Sequence, residues 1–388
     1  MTKTTKYPII LVHGMFGWGD DEGLNDYLPY WGANSCNIVK HYTCYGYNIH
    51  AASVGPASSA WDRACELYAR LTGGVVDYGK AHSESAHHKR YGRYYDEKLV
   101  EQWDADHKIH LVGHSFGGNT VRLLTHLLTY GAPEEVAASP DDVSELFKGG
   151  HQDLIASVFT ICAPHNGTTT FIVADKIKLL PVVKFIAYNY MGLFGRSPVE
   201  GTLFDFHLEQ YGLSDTPGQK DAYPMRRAKK LYKYSKDNIE YDMSGEGARK
   251  LNDIMEISPD IYYFSYSYTC VGVDFFGRHH VANHTDFPFL TFVSELVLTY
   301  NHFVRPKGNY EYADYANDGL VDLPSAMFPK DEPYTYFNRD DIEPGMWNVM
   351  KTRIGDHGTP IGLFSNANDT YALYDEIIEL MKEVETRR

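Results

Sequence analysis

The chain has 388 residues, 43% of them hydrophobic and 22% charged, the balance of a globular protein able to bury a large core. A formal net charge of −15 opposes nucleic acid and anionic lipid as partners, because both present negative surfaces. No run of eighteen apolar residues is present to span a bilayer, yet neither fact opposes contact with a neutral oil or polymer surface.

Ile9-Ile10-Leu11-Val12 is a continuous apolar run, as a buried parallel strand requires. It runs into His13-Gly14-Met15-Phe16-Gly17-Trp18-Gly19, a Gly-rich loop. Residues 45–54 read as a second strand, 61–71 as a helix and 108–113 as a third strand. Gly113-His114-Ser115-Phe116-Gly117 follows, and then a helical stretch over 118–130 in which Val121, Leu124 and Leu128 repeat on one face. Ile155 to Cys162 reads as a further strand and 371–386 as a last helix. Strands alternating with helices predict an α/β protein with a mostly parallel, doubly wound sheet. No repeat, low-complexity tract or linker divides the chain, so residues 1–388 read as one domain carrying insertions.

The pattern G-x-S-x-G between a strand and a helix is a nucleophile elbow, the mark of an α/β hydrolase. Its turn is tight, so Gly113 and Gly117 leave room for strand and helix to pass, and Ser115 stands above the sheet as nucleophile. In that class the loop after an early strand supplies one oxyanion-hole N–H and the residue after the nucleophile supplies the other. Met15 and Phe116 are therefore the expected donors, through their backbones. A serine hydroxyl needs a base, and the base an orienting acid. With eighteen histidines in the chain, the order Ser, Asp or Glu, His acts as the filter. It favours His357, in Gly355-Asp356-His357-Gly358, over His302. Asp318, in the turn Asn317-Asp318-Gly319-Leu320-Val321, is the expected acid, with Asp314 and Asp322 as alternatives. Asp356 adjoins His357 in sequence, is poorly placed to hold its ring, and reads as a loop-stabilising side chain.

Asp62 follows Trp61, and His82, His87 and His88 sit in a polar loop. Such a loop is ordinarily solvated surface, and His82 and His88 do not share a helix face. Two imidazoles and two carboxylates around Zn²⁺ would close a neutral tetrahedron with no open position, hence a structural site. Phe171–Leu180 and Pro181–Tyr188 are apolar on most faces, which suits a core helix pair or a lid over an apolar cleft. Their place after Ala163-Pro164-His165-Asn166-Gly167-Thr168, a loop following a core strand, favours the lid. The five cysteines form no C-x-x-C pair and read as buried, inert thiols; nothing supports a Cys36–Cys44 bridge. The N-terminus shows no signal-peptide core, which fits either a protein kept inside the cell or a mature form.

Together these residues resemble bacterial true lipases of the Staphylococcus and Geobacillus type, the zinc-containing thermoalkalophilic lipase group and its relatives. The likeness runs from Ile9 to about Asp375. It rests on Val12-His-Gly-Met-Phe-Gly-Trp-Gly19, Val54-Gly-Pro56, Trp61-Asp-Arg-Ala-Cys-Glu-Leu-Tyr-Ala69, Gly73-Gly-Val-Val-Asp-Tyr-Gly79, Ala163-Pro-His-Asn-Gly-Thr-Thr169 and Trp347-Asn348. The resemblance implies an α/β-hydrolase fold with a helical lid at about 171–195 and a zinc-binding insertion from about 60–92 and 203–255. It carries the nucleophile, acid and base onto Ser115, Asp318 and His357, and the oxyanion donors onto Met15 and Phe116. It carries structural zinc onto Asp62, His82, His88 and Asp237, choosing His88 over His87, with Asp242 as fallback. Three departures stand out. The elbow opens with Gly113, as in the staphylococcal branch, so thermostability does not follow from the resemblance. Thr359 and Leu363-Phe364-Ser365 stand where the family's calcium ligands would be, so no calcium is expected there. The family is usually secreted with a leader, which this sequence does not display; an extracellular mature form is the expectation. The implied activity is lipase or carboxylesterase action on water-insoluble esters such as triacylglycerols, p-nitrophenyl esters and aliphatic polyesters. An acyltransferase on the same triad is the alternative, separated by product analysis with added alcohol.

Overall fold

The computed structural model describes residues 4–176, 204–211, 235–273, 275, 280–303 and 316–387. Seven strands form a central sheet: β1 (Ile9–Val12), β2 (Ile49–Ala52), β3 (Ile109–His114), β4 (Ile155–Ile161), β5 (Tyr262–Tyr266), β6 (Tyr334–Tyr336) and β7 (Trp347–Val349). Their order is β6-β7-β5-β4-β3-β1-β2, and every neighbouring pair is parallel. The register sets Val12 beside Gly113, Gly113 beside Thr160 and Thr160 beside Ser265. These strands thus end at one level, and the loops that follow them open along a single edge. In a parallel sheet that edge is where ligands bind.

Successive strand residues point to opposite faces, so the sheet carries two cores. Ile10, Val12 and Leu111 pack beneath α1 (Ala60–Thr72) and α2 (Phe116–Tyr130). Ile9, Leu11 and Val112 meet α3 (Ala367–Thr386) on the other face. The Asn366 side chain caps α3 by accepting the N–H of Asn368. The helix lays Leu373, Tyr374, Ile377, Ile378, Met381 and Val384 onto the sheet at helical spacing. Met381→Ala empties a fully buried position there and is expected to lower stability by about 2–5 kcal/mol, read from denaturant unfolding. At the far end of the sheet from the loop edge, Glu385 of α3 accepts the N–H groups of Lys6 (2.8 Å) and Tyr7 (3.1 Å). His110 Nε2 also faces that carboxylate at 3.1 Å, and its Nδ1 meets Ser157 Oγ at 2.6 Å.

The chain departs from the sequence reading in several places. Residues 45–48 are not strand: Tyr45 closes a helix over Ile38–Cys44, and Gly46 turns the chain with φ 88°. Strands β5, β6 and β7 were not expected, because β5 is Tyr-Tyr-Phe-Ser-Tyr and the other two span three residues each, too short to show a period. All five cysteines are free, but only Cys65, Cys162 and Cys270 are buried; Cys44 ends its helix facing solvent. Of the expected lid, Thr169–Lys176 is helical, and residues 177–195 lie outside those described. Over the residues expected to form the insertion, the chain makes α1, an antiparallel ribbon of Gly74–Asp77 with Tyr91–Tyr95, a short helix Lys80–Ala86, and the described parts of 203–255. Among the described residues no helix is long and apolar enough to cross a membrane.

Candidate active site and metal centre

Ser115 sits between β3 and α2 with φ 54° and ψ −131°, a backbone state that non-glycine residues rarely hold. The crowding that forces it is visible at the two glycines. A Cβ on Gly113 would lie 2.4 Å from the Gly117 carbonyl carbon, and one on Gly117 would lie 2.0 Å from Val12 O. The loop after β1 comes equally close, since a Cβ on Gly14 would sit 3.1 Å from Ser115 Oγ. In that loop Phe16 donates to Pro56 O (2.9 Å) and Gly17 to Gly14 O (3.2 Å). Among the described residues neither the Met15 nor the Phe116 N–H meets an acceptor.

Asp318 and His357 meet on the same edge. His357 Nδ1 lies 2.8 Å from Asp318 Oδ2, and the His357 N–H donates to the Asp318 carbonyl at 2.7 Å. The other carboxylate oxygen, Oδ1, accepts the N–H groups of Leu320 (2.9 Å) and Val321 (2.7 Å), so the turn aims Oδ2 at the imidazole. The Asp318 carboxylate is buried, which strengthens its hold on an imidazolium. Asp356 is loop scaffolding: one oxygen accepts from Asp286 N and Phe287 N, the other from Gly358 N and Thr359 N. Asp322 accepts the N–H of Thr169 and starts the helix Leu323–Met327. Asp314 and the His302 side chain lie outside the described residues. At the place of the family's calcium site, the Thr359 hydroxyl donates to Asp286 at 3.1 Å.

Two residues that sequence reasoning passed over fasten these loops to the elbow. His114, immediately before Ser115, places Nε2 3.0 Å from the His357 carbonyl and Nδ1 2.7 Å from Tyr30 OH. The carbonyl can only accept, so Nε2 carries the proton and Nδ1 accepts from Tyr30. The Tyr30 oxygen in turn accepts the Gly14 N–H at 2.9 Å. Burial and the neighbouring His357 hold His114 well below the ordinary histidine range, consistent with that neutral tautomer. The His357 loop, the elbow and the loop after β1 are thus tied in one chain of hydrogen bonds. Tyr30 and His114 lie 84 residues apart, so no local pattern announces the pair.

The second site gathers Asp62 on the first turn of α1, His82 on the helix Lys80–Ala86, His88 just beyond it, and Asp237. His87 ends that helix in the left-handed state at φ 62° and is exposed; the reversal turns His88 back toward His82. His82 Nε2 lies 3.2 Å from Asp62 Oδ1 and 3.5 Å from Asp237 Oδ1. His88 Nε2 lies 3.6 Å from Asp62 Oδ1 and 3.3 Å from Asp237 Oδ2. Ligands about 2.0–2.1 Å from a tetrahedral Zn²⁺ stand about 3.3–3.4 Å from one another, so these separations fit such an ion, with Asp237 turning a different oxygen toward each imidazole. The surroundings fit too. His88 Nδ1 donates to Lys89 O at 2.8 Å, which leaves its buried Nε2 as a lone pair with no hydrogen-bond partner. Gln210 donates to Asp62 Oδ2 (3.0 Å), Tyr211 OH lies 3.3 Å from Asp237 Oδ2, and Trp61 stacks on His82. Asp242, the fallback ligand, instead accepts the N–H of Ala60 at 2.7 Å. Burial raises its carboxyl to about 8.

A parallel sheet flanked by helices, with a strained serine at a strand–helix turn and an Asp-held histidine on the same edge, defines the α/β-hydrolase class. The family model for the lipase-like, C-terminal domain matches residues 5–385, and the chain belongs to that family. It is 33% identical over 365 residues to Lipase 2 of Staphylococcus aureus, covering 92% of this chain and 50% of the relative. It is 34% identical over 379 residues to the lipase of Staphylococcus hyicus, covering 94% of this chain and 55% of the relative. The chain therefore spans about half the length of the curated relatives it matches. Among solved structures, Staphylococcus hyicus lipase superposes with a TM-score of 0.84 at 30% identity, covering 100% of this chain and 98% of that one. EstA from Clostridium botulinum follows at 0.81 and 34% identity, covering 97% and 88%.

Proposed function

We propose that the chain hydrolyses carboxylic ester bonds of lipid-like, water-insoluble substrates, with Ser115 as nucleophile, His357 as base and Asp318 as its partner. The observation that carries this is the Asp318–His357 pair fastened through His114 to the elbow of Ser115. With Nδ1 engaged by Asp318, His357 keeps Nε2 free to take the Ser115 proton as Oγ attacks the ester carbonyl. The charge that develops on the carbonyl oxygen meets the Met15 and Phe116 N–H groups, which are fixed in advance and need no reorganisation. His357 then returns its proton to the leaving alcohol, and water releases the acyl group by the same steps reversed.

Asp62, His82, His88 and Asp237 would hold a zinc ion in a closed shell, which supplies cohesion to the insertion and no reactive position. The apolar stretch at about 171–195 is proposed as a lid, residues 1–388 as one domain, and the site of action as extracellular on the family resemblance. Reaction with diethyl p-nitrophenyl phosphate tests the nucleophile. One phosphoryl adduct per chain on Ser115 is expected by peptide mass spectrometry; an adduct on another serine, or none, sinks the assignment. Activity across ester chain lengths, above and below the solubility limit and on an aliphatic polyester film, tests substrate class. A rise on crossing that limit is expected. A preference confined to dissolved short esters would count against lipid-like substrates and the lid.

A further inference from the structure

We propose that Arg63 is a positioning residue for the oxyanion hole: its guanidinium binds at once the three segments that frame the hole. The proposal rests on the reading of Ser115, Met15 and Phe116 given above. Arg63 is 0% exposed. Its Nη2 donates to the His13 carbonyl, at the root of the loop that bears Met15. Its Nη1 donates to Gly55 O at 2.8 Å, next to Pro56, whose carbonyl accepts the Phe16 N–H. Its Nε donates to Thr120 Oγ1 at 2.8 Å, one turn along α2 from Phe116, and that hydroxyl donates to Phe116 O at 3.2 Å. The guanidinium carbon lies 5.6 Å from the Phe116 ring centroid.

Two consequences follow for an oxyanion. The first is geometric. His13 O is a buried acceptor that would lose its partner without Arg63, and Gly55 O would keep only the long 3.4 Å contact from the Ser58 N–H, a costly state that the loop would relieve by moving. Movement at His13 displaces Met15, two residues on. The second is electrostatic. Among the described residues Arg63 makes no direct ion pair; the buried Glu66 carboxylate acts on it only at longer range, and a cation shut in a low-dielectric wall favours negative charge appearing nearby. Burial draws the guanidinium down to about 10, so it stays charged at pH 8. The sequence shows nothing of this, because Arg63 lies near the start of an amphipathic helix, 50 residues from His13 and 57 from Thr120.

A p-nitrophenyl ester and its thiono counterpart separate this role from plain scaffolding, because the larger, weakly accepting sulfur gains little from the hole. In the metal-loaded full chain, Arg63→Met is expected to lower kcat on the oxygen ester about 100-fold, with KM within about threefold. The oxygen-over-sulfur preference should fall at least about tenfold, since one oxyanion donor is worth on the order of 10²–10³. Arg63→Lys keeps the charge without the fork and should recover part of both. A folded Arg63→Met protein, with wild-type circular dichroism, that retains the wild-type preference overturns the proposal. Should neither variant fold, Thr120→Val removes one acceptor and leaves the cation; its preference should drop by roughly threefold to tenfold, and an unchanged one overturns the proposal equally. Wild-type turnover in Ser115→Ala would instead undo the underlying reading of the site.

Discussion

Ser115→Ala is expected to lower kcat on p-nitrophenyl esters by about 10⁵- to 10⁶-fold, leaving a residue of activity above the uncatalysed rate. The elbow explains why the loss should be near total and the fold unharmed. Ser115 Oγ is the only part of the turn that the reading asks to react, while the turn itself is shaped by Gly113, Gly117 and the strand beneath them. Alanine removes one oxygen from a strained position and adds no bulk. The Met15 and Phe116 N–H groups and the Asp318–His357 pair remain, so residual catalysis reports what they contribute without a nucleophile. Initial rates on a soluble ester, with melting temperature as control, measure this. Wild-type turnover in a folded Ser115→Ala protein would remove Ser115 from the mechanism.

Removing metal from the Asp62, His82, His88 and Asp237 cluster is expected to lower the melting temperature by roughly 5–10 °C, and by more at pH 10 than at pH 7. The size follows from linkage: a ligand present at about 1,000 times its Kd adds about 4 kcal/mol to the folded state. The pH dependence follows from what takes the metal's place. Burial lowers both imidazoles, but the Asp237 and Asp62 carboxylates outweigh it and raise His82 to about 9 and His88 to about 10. Raised pKa values stabilise the metal-free fold fully below the unfolded value near 6.5, and that contribution fades as pH climbs through 9 and 10. At pH 7 two imidazolium ions therefore neutralise two carboxylates in the stripped protein; at pH 10 they do not. By the same balance, loading metal at pH 7 should release about two protons, measurable in weak buffer. Purified protein with less than about half an equivalent of zinc, or a melting shift that ignores pH, would contradict a tight four-ligand site.

How far the sequence announced all this depends on the reach of each contact. The elbow was legible because its chemistry is local: glycines two residues either side of a serine are what the close approach of β3, α2 and β1 requires. Asp318 and His357 could be chosen because their class fixes an order along the chain, and the structure sets them 2.8 Å apart. The cluster of Asp62, His82, His88 and Asp237 was half legible. Residue type alone left Asp62 and the histidines as solvated surface, and preferring His88 to His87 needed the family register. The left-handed turn at His87 supplies the physical reason. Tyr30, His114 and Arg63 were illegible in their roles, since each acts on carbonyls or amides far away in sequence. Strand β5 was missed for another reason: its tyrosines bury their rings while looking polar to a hydropathy reading.

Glu385 has a practical implication. By accepting the N–H groups of both Lys6 and Tyr7, it brings the two ends of the described chain to one spot. That spot lies where β1 begins, whereas Ser115 and His357 sit beyond the strand ends on the opposite edge. A tether attached near Lys6 or Glu385 therefore holds the molecule with the edge that carries Ser115 and His357 pointing outward. Immobilised on beads or displayed on a surface, the protein would meet a droplet or film face-on from either attachment.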